Sequence, residues 1–115
     1  AWSVGQCIEH LNITIERYLP VLRSAVQSAR AQGLTAQGPF AIGWIERLFI
    51  RSMEPPPGWR FKTPKPFVAG VDLDPVATVA RARQLRVEFG ECIRSADGLN
   101  QPRIKVRSQF APVSW

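Results

Sequence analysis

The chain has 115 residues, 45% of them hydrophobic, and a formal net charge of +6. That length suits one domain or part of one. No apolar run reaches the roughly 18 residues that a spanning helix needs, and no signal-peptide pattern is present, so no membrane partner is expected. The arginines Arg17, Arg23, Arg30, Arg47, Arg51, Arg81, Arg83, Arg86 and Arg94 are dispersed, with no block of consecutive basic residues. They read as a solvated helix surface rather than a groove that tracks phosphates, and nucleic acid is not expected as a partner.

Both ends look cut. Position 1 is alanine, a helix signal begins almost at once, and apolar residues stand just before Trp115. We therefore expect a single domain over residues 1–115 that is incomplete at both ends. Ser3 followed by Gln6 is a capping-box pattern. Helical spacing then runs through Cys7, Ile8, Leu11, Ile15, Tyr18, Leu19, Leu22 and Val26, and Gly33 supplies a stop. This predicts a first helix from Val4 to Gln32, kinked rather than broken at Pro20.

A turn at Gly38-Pro39-Phe40 leads into F-A-I-G-W-I-E-R-L-F-I-R, where Ile42, Ile45, Leu48 and Phe49 recur at helical spacing beside Trp44. This predicts a short second helix ending near Ser52, weakened at Gly43 by roughly 1 kcal/mol relative to alanine. Residues Met53 to Phe67, M-E-P-P-P-G-W-R-F-K-T-P-K-P-F, are too rich in proline for a regular element. Their three aromatics, Trp59, Phe61 and Phe67, predict a crossover that packs on something rather than a free linker.

Asp74 and Pro75 form an N-cap and first helical position. Val79, Ala82, Leu85, Phe89, Cys92 or Ile93, and Ala96 make one stripe of a third helix, closed at Asp97-Gly98. The tail R-I-K-V-R, Arg103 to Arg107, alternates apolar with charged and reads as a brief extended segment between Pro102 and Pro112. The two cysteines, Cys7 and Cys92, have neither C-x-x-C nor zinc spacing. Each falls in a helical apolar pattern, so both are expected to be buried free thiols in a reducing cytoplasm.

The single histidine, His10, falls about 60° around the helix from Cys7, where the apolar stripe turns polar beside Thr14 and Val21. Two roles fit: a hydrogen-bonded boundary residue, or a metal ligand. One histidine cannot make a zinc or nickel centre, which needs three or more ligands. Glu9 faces away, and Asp72 and Asp74 are accounted for by the loop and the cap. Cys7 lies one turn from His10, but a reactive dyad needs an exposed thiol in an electropositive setting. No P-loop or dinucleotide-binding glycine pattern occurs.

The run W-S-V-G-Q-C-I-E-H-L, Trp2 to Leu11, resembles the start of the second helix in the DinB-like superfamily. There a Trp-Ser pair opens the helix, followed by Gln or Glu and then His-Leu. R-L-F-I-R (Arg47 to Arg51), K-T-P-K-P-F (Lys62 to Phe67) and the proline-started helix at Asp74 resemble its crossover and third helix. The resemblance covers most of the chain. It implies an all-α, partial up-down four-helix bundle lacking its first and last helices. It also implies a bacterial cytoplasmic protein that acts on a small-molecule substrate.

In that family three histidines hold a divalent metal, zinc, nickel or similar. By resemblance His10 is the first, and the H-x-x-x-H pair of the last helix would lie beyond Trp115. Thr14 is the candidate to hold the other ring nitrogen. The implied parent is a metal-dependent thiol S-transferase, using a low-molecular-weight thiol, or a hydrolase-like enzyme. The alternative is a non-catalytic structural or interaction module of the same fold, with His10 as a boundary core residue. Either way the helix stripes are left partly uncovered, so isolated residues 1–115 are expected to pair with a second copy or aggregate.

Overall fold

The structure, a computed structural model, describes residues 1–54 and 62–107. It holds three α-helices, α1 (Val4–Ala31), α2 (Trp44–Met53) and α3 (Pro75–Ser95), with short 3₁₀ turns at Lys65–Phe67 and Gln101–Arg103. The described residues are mostly helical and form no strand. No helix among them is long and apolar enough to cross a membrane.

The helix ends follow from local chemistry. Ser3 Oγ accepts from the Gln6 N–H at 3.2 Å, and Gln6 Oε1 accepts from the Ser3 N–H at 2.9 Å, closing both arms of the capping box. α1 then runs unbroken through Pro20. Gly33 takes φ +64°, a left-handed conformation that costs glycine no Cβ clash. Its N–H donates to the Arg30 carbonyl, and the Leu34 N–H donates to the Ala29 carbonyl, both at 3.0 Å. That pair of bonds is a Schellman closure, and it turns Leu34 back onto Val26, Ala29 and Leu99. At the start of α3, Asp74 Oδ1 accepts from the N–H groups of Val76 and Ala77, and Pro75 occupies the first helical position.

α1 and α3 lie side by side and parallel. Their cross-links keep an almost constant separation in sequence: 66 residues from Asn12 to Thr78, and 65 from Glu16 to Arg81, Arg23 to Glu88 and Arg30 to Ser95. Parallel neighbours cannot be joined by a tight turn, so the chain must travel back along the pair. Residues 32–74 make that crossover, and α2 lies within it. Both helices end at one level, where Thr35 and Leu99 form an antiparallel bridge.

The packed seam repeats every seven residues. Asn12, Leu19 and Val26 are buried on α1, and Thr78, Leu85 and Cys92 on α3, with Leu99 one repeat further on. A seven-residue repeat keeps one narrow line of each helix facing its neighbour. The broader apolar stripes are only partly buried, as expected, because among the described residues α1 and α3 have each other as their one α-helical partner. One expectation, that both thiols are buried, is corrected for the same reason. Cys7 is exposed, and only Cys92 is a buried thiol. Leu11, Val79 and Ile93 are exposed, and Cys92 rather than Ile93 continues the α3 stripe.

α2 also differs from expectation. It starts at Trp44, and Gly43 is its N-cap rather than a weak point inside it. An extended glycine is well tolerated at that position. Trp44, Ile45 and Leu48 are exposed on α2. Phe67, at 1% exposure, is the crossover aromatic that packs into the structure. Trp59, Phe61 and Pro112 lie outside the described residues.

Candidate functional site

The first turns of α1 hold residues 67–70 of the crossover along one edge of the helix. Gln6 Nε2 donates to the Gly70 carbonyl at 3.5 Å. One turn further on, His10 Nδ1 lies 2.7 Å from the Phe67 carbonyl oxygen. Two turns beyond His10, the Arg17 guanidinium sits over the Phe67 ring, 5.3 Å from its centroid. Spacings of about four residues place these side chains on one edge.

The half-buried His10 ring is fixed from two sides. Trp2 meets it edge-on, with centroids 5.2 Å apart and planes at 62°. The Phe67 carbonyl can only accept, so His10 Nδ1 must carry the hydrogen of that bond. In the neutral imidazole Nε2 then keeps its lone pair. Among the described residues, no hydrogen bond is made to Nε2. Thr14, expected to hold the ring's other nitrogen, instead donates its hydroxyl to the His10 backbone carbonyl at 2.7 Å, and the Phe67 carbonyl takes that place. What the arrangement offers chemically is one oriented nitrogen donor.

A second polar cluster lies on the seam, and sequence reasoning missed it. Asn12, 1% exposed, donates through Nδ2 to Glu9 Oε2 and to the Thr78 carbonyl, both at 3.1 Å. Arg81 of α3 reaches back across the seam. Its Nη1 is 2.6 Å from Glu9 Oε1, while Nε and Nη2 engage both oxygens of Glu16 as a fork. The hydrogen bonds from Arg81 hold the Glu16 carboxyl below its ordinary pKa of 4.5, and the same pairing raises that of Arg81. Arg23 adds a link to Glu88 at 3.3 Å, and Arg30 donates to the Ser95 carbonyl. So three of the arginines assigned to solvated surface instead bridge the helices. The missed signal was an asparagine seven residues before Leu19 and fourteen before Val26, in line with the buried seam.

A complete metal centre is not assembled from these residues. Among the described residues, no group of three or more His, Cys, Asp or Glu side chains gathers as metal donors. Glu9 and Glu16 are committed to Arg81, and Asp74 to the cap of α3. His10 alone falls short of the three or more ligands that a stable divalent site requires. No family model, curated protein or solved structure matches the chain.

Proposed function

We propose that the chain is the middle portion of a DinB-like four-helix bundle, and that His10 contributes one nitrogen to a divalent metal. The remaining ligands would lie outside residues 1–115. The observation that carries this reading is the Nδ1 hydrogen bond to the Phe67 carbonyl. Metal-binding histidines characteristically donate their second ring N–H to a carbonyl or carboxylate, which fixes the tautomer and aims the other nitrogen. The parallel α1 and α3 are joined by a long crossover and leave Leu11, Val79, Val87 and Ile93 exposed, which suits a bundle that further helices complete. The transferase or hydrolase-like activity of the parent rests on the same completion.

The test is made on the protein encoded by the whole reading frame. That frame should place H-x-x-x-H shortly after Trp115, and the purified protein should carry about one divalent ion per chain. His10→Ala should remove the ion. A frame without those histidines, or a metal content that survives the substitution, would overturn the reading.

The second reading is a non-catalytic structural or interaction module, favoured because no group of three or more His, Cys, Asp or Glu side chains gathers among the described residues. Here the imidazole serves only to tie the crossover to α1. It predicts that His10→Ala lowers stability by about 1 kcal/mol, with no stoichiometric metal in either protein.

A further inference from the structure

The charged tail that the sequence singles out, R-I-K-V-R, has a place in the fold that the His10 reading does not use. It runs beside the C-terminal half of α1 and closes one side of an open groove of about 760 Å³. Volumes of this size accept small organic ligands. The floor is apolar: Val21, Ala25 and Ala29 from α1, with Leu34 and Ile104 from the segments that follow the helices. Ser24 and Ser28, one turn apart on α1, place hydroxyls along it.

The rim is cationic. Arg103, Lys105 and Arg107 all line the groove, and among the described residues no aspartate or glutamate does. None of the three takes part in an ion pair among the described residues. The expected extended segment begins only after Arg103, which ends the 3₁₀ turn, so Arg103 offers its charge from the turn and Lys105 and Arg107 offer theirs from the residues that follow it. Apolar floor, hydroxyls and cations together complement one kind of molecule.

We propose that this groove binds a small amphiphilic phosphate monoester. Its hydrocarbon lies on Val21, Ala25, Leu34 and Ile104, and its doubly charged head reaches Arg103, Lys105 and Arg107. Phosphate accepts several charge-assisted hydrogen bonds at once, which a carboxylate head would satisfy less fully. The proposal is independent of His10, which lies near the opposite end of α1.

Octyl phosphate, kept below its micelle threshold, is the probe, and titration of the 115-residue chain followed by amide NMR is the measurement. Saturable shifts are expected at Ser24, Ser28 and Leu34. Affinity should fall about tenfold or more in R103Q/K105Q/R107Q, as expected for three solvent-exposed charge contacts. Ser24→Trp, which fills the groove from an exposed position without changing charge, should abolish the shifts. Inorganic phosphate and octyl glucoside should each bind at least about tenfold more weakly, since each supplies half of the match.

R83Q/R86Q/R94Q is the control. It removes the same charge from a separate hollow on α3 that also holds Val87 and Phe89, and it should leave affinity unchanged. An equal loss in that control would mean that net charge alone attracts the probe. Equal binding of octyl glucoside would mean unspecific apolar adhesion. Either result, or the absence of saturable shifts at the groove, overturns the proposal.

Discussion

Phe67→Ala is expected to lower the unfolding free energy by about 3–5 kcal/mol, the usual cost of emptying a fully buried aromatic site. Of the three aromatics between Met53 and Phe67, Phe67 is the one among the described residues; it is 1% exposed, and the Arg17 guanidinium sits over its ring. Truncation leaves a cavity at the place where the crossover meets α1. It also loosens the backbone whose carbonyl accepts from His10. Urea unfolding is the measurement: the midpoint should drop with little change in slope. Phe67→Leu keeps most of the volume and should cost no more than about 1.5 kcal/mol. A Phe67→Ala effect within about 0.5 kcal/mol, typical of a surface residue, would show that the crossover does not pack there.

Arg81→Met is expected to cost about 2 kcal/mol at neutral pH. Methionine retains much of the aliphatic stem, so the loss isolates the charge. Breaking a wholly buried ion pair costs about 3–5 kcal/mol, and an exposed pair is worth about 1 kcal/mol or less. Arg81 falls between these limits, with its side chain 37% exposed and that of Glu9 13% exposed. The acid limb of the stability curve provides an independent reading. Glu16 has a folded pKa below its ordinary 4.5, so between the two values the unfolded chain binds the proton first. Its contribution is therefore complete above pH 4.5 and is lost as the pH falls through the lower folded value. In Arg81→Met that part of the acid destabilisation should vanish. A variant that keeps the wild-type acid slope would assign it to other carboxylates.

The parts of the fold that were legible in the sequence are those dictated by neighbours in the chain. The Ser3–Gln6 box, the Gly33 stop and the Asp74-Pro75 start each depend on a few adjacent residues, and each forms as expected. The seam was less legible, because burial depends on how many partners a helix has. Periodicity marked eight apolar positions from Cys7 to Val26, and of the residues in that span only Asn12, Leu19 and Val26 are buried. Asn12 and Arg81 were missed because the apolar pattern leaves polar residues out, and their partners across the seam lie more than sixty residues away. For His10, the sequence placed the residue at the edge of the stripe, and the structure makes it half-buried. Its partner, the Phe67 carbonyl, could not be read, since a backbone oxygen looks the same at every position until the chain is folded.

The tautomer of His10 tests the central claim most directly. The chain contains one histidine, so the imidazole signals in a long-range proton–nitrogen NMR spectrum need no assignment. In the neutral ring, Nδ1 should resonate as a protonated nitrogen and Nε2 as an unprotonated one, with slow exchange of the Nδ1 hydrogen. The reverse pattern, with hydrogen on Nε2 as free imidazole side chains prefer, would mean that the bond to Phe67 is not made and that no nitrogen is held ready as a donor.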